Sequence, residues 1–183
     1  MTELYIALAL LIIVTIFIYN LLVKDRNQVF SAWSDIDVQL KRRHELIPQL
    51  VTTVKAYADF EKATMTAVTE LRSRSQAEYH LPQKSAIEMA MGSAIGQLMV
   101  IAEDYPDLKA DGNFRQLQTE LTEIEDHVQY ARRFYNGAVR IFNTRIESFP
   151  NFIIARLFNF KIAEYFEVNS DDERKASVIK LHD

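Results

Sequence analysis

Residues 4–23 read LYIALALLIIVTIFIYNLLV and contain no charged side chain. A helix of this length spans about 30 Å, the thickness of the hydrocarbon core of a bilayer. A cleavable secretory signal has a basic start, a shorter apolar core and a cleavage site of small residues. This segment instead follows Thr2 and Glu3 and ends with bulky side chains. It predicts an uncleaved transmembrane anchor, and "the anchor" below means residues 4–23.

The charges that flank the anchor predict its orientation. Lys24 and Arg26 follow the anchor directly, whereas Glu3 and the terminal amine are the only charges before it. Cations near the end of a membrane span favour the cytoplasmic side. We therefore expect the N-terminus outside and the rest of the chain in the cytoplasm. Because they lie where the anchor meets the lipid headgroups, Lys24 and Arg26 are also candidate lipid contacts.

The composition of the chain favours helix and excludes several classes of function. Only four Gly and four Pro occur in 183 residues, while strong helix formers are plentiful. A net charge of −4 with mixed signs argues against a nucleic-acid-binding surface. The absence of Cys excludes disulfides, Cys-zinc sites and thiol catalysis.

The spacing of apolar residues predicts an all-α fold, in which the anchor is followed by an elongated, antiparallel four-helix-bundle-like domain. The domain covers residues 27–166, with helices at about 27–76, 83–104, 111–148 and 151–166, and a polar tail follows at 167–183. Pro48 removes the helical hydrogen bond to the carbonyl of His44. Because the apolar phase is the same on both sides of Pro48, a kinked continuous helix is favoured. A fresh helix that begins at Ile47 is the alternative.

An asparagine pattern occurs twice in the chain. Tyr19-Asn20-x-x-Val23-x-x-x-Asn27 returns as Tyr135-Asn136-x-x-Val139-x-x-x-Asn143. Asparagines seven residues apart lie on one face of a helix, so these amides are candidates for pairing between two helices, which would fix their register. The alternative is coincidence, with each amide satisfied by water.

The segment that closes the predicted domain is rich in aromatic residues, and two interpretations of it stay open. One is a terminal helix that caps the bundle core. The other is an exposed surface that binds a partner or the membrane interface. The candidate residues of such a surface are Phe152, Phe158, Phe160, Tyr165 and Phe166.

Catalytic and metal-binding motifs do not emerge from the sequence. A di-iron bundle needs two Glu-x-x-His pairs, but Lys41 and Ile124 stand three residues before His44 and His127. We therefore expect no cofactor, no metal site and no enzymatic activity. Arg42 and Arg43 could bind lipid headgroups, but they lie about 28 Å beyond the anchor in a straight helix. A polar layer inside the bundle, with Arg43 facing a residue such as Glu61, is preferred.

Several blocks in order resemble the LemA family: YNLLVKDRN (19–27), WSDIDVQLKRRHELIPQLV (33–51), KAYADFE (55–61), EDYPDLKAD (103–111) and ARRFYN (131–136). The resemblance runs from the anchor to about Phe166, and it departs from the family at Asn159, where a Gly is common. It implies a bacterial inner-membrane protein with one span, a bundle domain and no established catalytic activity. It also implies a role in membrane organisation, including magnetosome formation, and partners such as a membrane protease or a TPM-domain protein.

Three functions are therefore under consideration. The first is a membrane-anchored, non-catalytic helical scaffold or adaptor, which forms homo-oligomers or holds a protein partner at the cytoplasmic face. The second is a module that binds lipid headgroups and shapes or senses the membrane. The third is an enzyme, for which the sequence offers no reactive group.

Overall fold

The computed structural model of the chain describes residues 1–57 and 62–166. Its secondary structure in this part consists of six helices and no strand, in agreement with the predicted all-α fold. The helices are α1 (Thr2–Lys55), α2 (Lys62–Ala77), α3 (Leu81–Ala102), α4 (Pro106–Ala110), α5 (Gly112–Glu147) and α6 (Asn151–Leu157). The predicted tail at 167–183 lies outside the described residues.

The anchor and the first helix of the domain form one continuous helix. α1 runs through the anchor, through Lys24 and Arg26, and through Pro48 to Lys55. The alternative prediction, a new helix that begins at Ile47, is therefore wrong. The predicted helix from residue 27 to residue 76 is nevertheless two helices, because α1 ends at Lys55 and α2 begins at Lys62. Glu61, a predicted partner of Arg43, lies outside the described residues.

Two helix pairs make up the fold. α1 packs along α5 in the antiparallel sense, because Asp25 pairs with Arg145 near one end and Arg43 pairs with Glu125 near the other. α2 and α3 form a helical hairpin, which covers the half of the α1–α5 pair that is distant from the anchor. α4 is a single turn before α5 that the sequence did not predict. It begins with Pro106, which has no N–H and whose fixed φ suits the first position of a helix.

The apolar core has two parts. One contains residues from α2, α3 and the second half of α1, among them Leu50, Val68 and Met91. The other lies next to the anchor and joins Leu22 and Ile36 of α1 to Phe142 of α5 and to residues beyond α5. Ile18 and Leu22 belong to the anchor and are buried in this second part. The last turns of the anchor are therefore covered on one side by the domain.

α6 is shorter than the predicted helix over residues 151–166. It ends at Leu157, and the chain then turns through Asn159, whose φ is 56°. The N–H of Phe160 donates to the carbonyl of Ala155 at 2.8 Å, and the N–H of Asn159 donates to that of Arg156 at 3.3 Å. These two bonds form a Schellman motif, which ends a helix at a left-handed residue. Residues 160–166 continue without helix.

Two helices have segments that are long and apolar enough to cross a membrane, judged by length and composition in the described part of the chain. The one in α1 contains the anchor, and nearly all of its side chains are exposed. The other is α3, which packs against α2 and buries Ile87, Met91, Ile95 and Leu98. α3 therefore has the character of a core helix. The exposed apolar segment of α1 indicates a membrane protein.

Candidate interaction surfaces

A group of polar side chains, buried except for the partly exposed Glu125, lies where α1, α2, α3 and α5 meet; we call it the polar cluster. Its members are Arg43, His44, Ser75, Glu88 and Glu125. Glu88 is at its centre: Oε2 accepts from Nη1 of Arg43 at 3.3 Å, and Oε1 lies 2.8 Å from Nε2 of His44. The hydroxyl of Ser75 donates to the same Oε1, and Nη2 of Arg43 donates to Glu125.

The ionisation of Glu88 follows from these contacts. Burial alone would raise the pKa of the Glu88 carboxyl, but the hydrogen bonds with His44 and Ser75 and the charge of Arg43 outweigh burial and hold this pKa below its ordinary value. Burial lowers the pKa of the Arg43 guanidinium, and the charge of Glu88 opposes that effect. Since Arg43 is buried and paired, it is not available to a lipid headgroup, whereas Arg42 is exposed.

Glu88 was not among the predicted site residues, although the sequence contained a signal for it. It stands three residues before Met91 and seven before Ile95, so it falls on the inward face of α3. A charged residue in an apolar seam is rarely left unpaired. Arg43, a polar residue on the inward face of α1, could therefore have been predicted as the partner of Glu88.

An open groove runs between α3 and α5 beside the polar cluster. Its volume is about 630 Å³, and the buried residues Arg43 and Arg132 are part of its lining. Gly92, Ser93 and Gly96 form its α3 wall. A side chain at Gly96 would meet no atom within 4 Å. The small residues of α3 therefore line an open surface.

The paired asparagines bind backbone in the structure. The amide of Asn143 accepts from the N–H of Ala163 at 2.8 Å and donates to its carbonyl at 2.9 Å. The amide of Asn136 does the same with Phe166, at 2.9 and 3.0 Å. The partner of these two amides is therefore the segment after α6, whereas the sequence pattern suggested Asn20 and Asn27. Both of those residues are exposed on α1.

The spacing of the two asparagines matches the spacing of their partners. Seven residues of helix rise about 10.5 Å. Three residues of extended chain, from Ala163 to Phe166, cover about 10 Å. Each amide can therefore hydrogen-bond the backbone of this segment as a neighbouring β-strand would, and the two amides hold the segment along α5. We call residues 149–166 the C-terminal arm.

The aromatic residues of the arm divide between core and surface. Phe166 is buried, with its ring centroid 6.2 Å from that of Trp33 and with the guanidinium of Arg132 4.8 Å from it. It cannot belong to an exposed surface, so that prediction is wrong for Phe166. Phe160 packs partly against the core and under Arg26, 5.2 Å away. Phe152, Phe158 and Tyr165 are exposed.

An apolar stripe lies on the outer side of α5. Tyr130, Phe134 and Ile141 are 65%, 44% and 54% exposed. They stand four and seven residues apart, which places them on one face of the helix. Phe134 and Ile141 each precede one of the two bound asparagines by two residues, or about 200° of rotation, so the stripe faces away from the C-terminal arm. We call these three residues the α5 stripe.

In the described residues, no three His, Asp or Glu side chains are grouped so that they could hold a metal ion. The polar cluster consists of ion pairs and hydrogen bonds that satisfy one another. It therefore has the features of a structural element that holds four helices together.

Comparison with known proteins places the chain in a family. The sequence pattern of the LemA family matches residues 32–180. Protein LemA of Metamycoplasma hominis is 30% identical over 157 residues, which cover 84% of this chain and 72% of that protein.

Magnetosome proteins are also similar. MamQ 2 of Paramagnetospirillum magneticum is 26% identical over 175 residues, which are 81% of this chain and 64% of that protein. MamQ of Magnetospirillum gryphiswaldense is 26% identical over 174 residues with the same coverage. The chain therefore spans less than two thirds of the MamQ proteins. Since the family pattern extends over most of its length, the chain belongs to the LemA family.

Proposed function

We propose that the protein is a membrane-anchored, non-catalytic scaffold, which assembles with further copies of itself at the cytoplasmic face of a bacterial inner membrane. The observation that carries this proposal is the α5 stripe. Its three large apolar side chains are exposed on a helix whose other faces are packed or polar. Apolar side chains aligned on an exposed helix face are typical of association sites.

Anchoring in a membrane gives a reason why the α5 stripe would bind a second copy of the chain. Copies anchored in one bilayer stand with the same orientation and at the same height. Their α5 helices then run parallel, with Tyr130, Phe134 and Ile141 of one copy level with the same residues of the next. A two-fold axis brings identical surfaces together in such an arrangement. Gly137, which lies between Phe134 and Ile141 on this face, leaves room for the helices to approach.

The name of the MamQ relatives supports a role in membrane organisation. They are named as magnetosome proteins. A self-assembling anchored helix is suited to such a role. A protein partner, for which the family resemblance implies a membrane protease or a TPM-domain protein, would be held by the assembled form.

Cysteine crosslinking tests the proposal directly, because the chain has no Cys of its own. Phe134→Cys and Ile141→Cys are expected to form crosslinked dimers in native membranes. Gln118→Cys, on the groove side of α5, is the matched control and is expected to stay monomeric. Monomers for all three variants, together with a monomeric mass of the full chain across concentrations, would contradict self-assembly.

A further inference from the structure

The C-terminal arm lies beside the last turns of the anchor. The ring centroid of Tyr19 is 4.8 Å from that of Phe158 and 5.8 Å from that of Phe160. Tyr19 precedes Val23, the end of the anchor, by four residues, or about 6 Å of helix. The arm therefore reaches a height that lies inside the apolar part of α1.

The outward side of the arm is apolar. Phe149 and Leu157 are 79% and 71% exposed. Phe152, Ile153, Phe158 and Ile162 are also exposed. The inward side of α6 is already filled by Ala155 and Ile154, which pack against the core. Apart from Arg156, α6 therefore carries large apolar side chains on its exposed side as well as on its packed side, which is unusual for a helix that faces only water.

Positive charges surround this apolar surface. Lys24 and Arg26 follow the anchor, and Arg156 and Lys161 belong to the arm; all four are exposed. Asp25 is paired with Arg145, while Glu147 and Glu164 are the exposed acids nearby. Aromatic side chains flanked by Lys and Arg are the usual composition of a protein surface at the membrane interface, where cations meet anionic headgroups.

We propose that residues 149–162 lie in the interfacial layer of the leaflet in which the anchor ends, and that they form a second lipid contact of the protein. The occupant of this surface is the bilayer itself, with anionic headgroups. The inference rests on the membrane anchoring of the proposed function, and it does not depend on self-assembly. The domain then lies with one end in the membrane surface.

Depth-dependent fluorescence quenching tests this placement in the full chain. Single cysteines replace exposed residues, so that folding is preserved: Phe149→Cys and Leu157→Cys in the arm. Each variant is labelled with an environment-sensitive fluorophore and reconstituted into vesicles of phosphatidylethanolamine and phosphatidylglycerol. The quenchers are lipids with a nitroxide near the headgroup or deep in the chain. Leu11→Cys reports on the middle of the anchor, and Tyr79→Cys, in the exposed α2–α3 loop, is the control for water.

The expected result is strong quenching of both arm positions by the shallow nitroxide, quenching of Leu11→Cys by the deep one, and none of Tyr79→Cys. The inference is overturned if Leu11→Cys is quenched while both arm positions behave like Tyr79→Cys, as they would on a surface that binds protein. An unquenched Leu11→Cys would instead contradict the anchoring itself, and with it the basis of the proposed function.

Discussion

The side chain of Arg72 donates a hydrogen bond from Nε to the carbonyl oxygen of His44, 2.8 Å away. That carbonyl has no donor within α1, because the residue four positions later is Pro48, which has no N–H. α2 therefore supplies the donor that the proline lacks. This contact accounts for the continuation of α1 through Pro48 with the buried carbonyl satisfied.

The role of Arg72 can be measured in a double-mutant cycle with Pro48. Arg72→Ala is expected to lower the free energy of unfolding by about 1–3 kcal/mol, because a buried carbonyl loses its partner. In the background of Pro48→Ala the cost should be smaller, since the restored N–H serves the carbonyl. Chemical denaturation of the full chain in micelles, followed by circular dichroism, gives both values. Arg74→Ala is the control, and equal costs in both backgrounds would exclude the coupling.

The polar cluster should behave as a buried ion pair. Glu88→Ala leaves Arg43 with Glu125 alone, and we expect a loss of about 3–5 kcal/mol in the free energy of unfolding. The double variant Arg43→Met, Glu88→Met should lose less, because neither partner of the buried ion pair is left without the other. Lys41→Gln, in an exposed pair with Asp37, is the control for a surface ion pair. A double variant as unstable as Glu88→Ala would argue against the ion-pair explanation.

The cluster also predicts a dependence of stability on pH. The pKa of Glu88 is lower in the folded chain than its unfolded value of about 4.3. Its ionised form therefore stabilises the fold above the unfolded pKa, and this stabilisation is lost as the pH falls toward the folded pKa. The test compares the denaturation midpoints of the wild type and Glu88→Gln from pH 6 down to the lowest pH at which both proteins fold. The wild type should lose more stability than the variant below about pH 4.3. If the stability of the two proteins fell equally with pH, Glu88 would not be the group responsible.

The attachment of the C-terminal arm depends on two amides. Asn143→Ala removes both hydrogen bonds to Ala163, so hydrogen exchange at the Ala163 amide should become faster by one to two orders of magnitude, or about 1–3 kcal/mol. Asn136→Ala should do the same at Phe166. Asn27→Ala, at an exposed position of α1, is the matched control. Unchanged exchange in the Asn143 and Asn136 variants would show that other contacts hold the arm.

Asn159 occupies a left-handed position that few residue types adopt. Because its φ is 56°, Asn159→Gly should leave stability unchanged or raise it slightly. Asn159→Val should lower the free energy of unfolding by about 1–2 kcal/mol, since a β-branched side chain is strained there. Thermal denaturation of the two variants makes the comparison. A tolerated Val would contradict the left-handed turn.

Much of the fold could be predicted from the sequence, because the apolar positions recur with the period of a helix. That period is strong in α5, where the recurring apolar residues Phe114, Val128 and Phe142 are all buried. The same periodicity does not predict the end of α1, because the apolar spacing continues past Lys55 and no Gly or Pro follows to mark a break. No local signal in the sequence therefore marks the end of α1.

The interaction surfaces were harder to predict, for a physical reason. The asparagine pattern at Asn136 and Asn143 was visible, but its partner was the backbone of Ala163 and Phe166, which no side-chain pattern records. The left-handed turn at Asn159 ended α6 early and made that backbone available. The α5 stripe emerged only when the packed faces of α5 were known.

The unbroken course of α1 from the anchor to Lys55 has a mechanical consequence. A continuous helix moves as one rigid body, so the tilt that its apolar N-terminal segment takes in a bilayer would set the angle of the rest of the helix. Tilt responds to bilayer thickness, at a cost of fractions of a kcal/mol for each ångström of mismatch. A change in bilayer thickness would therefore displace the end of the bundle that is distant from the anchor, in the direction parallel to the membrane plane.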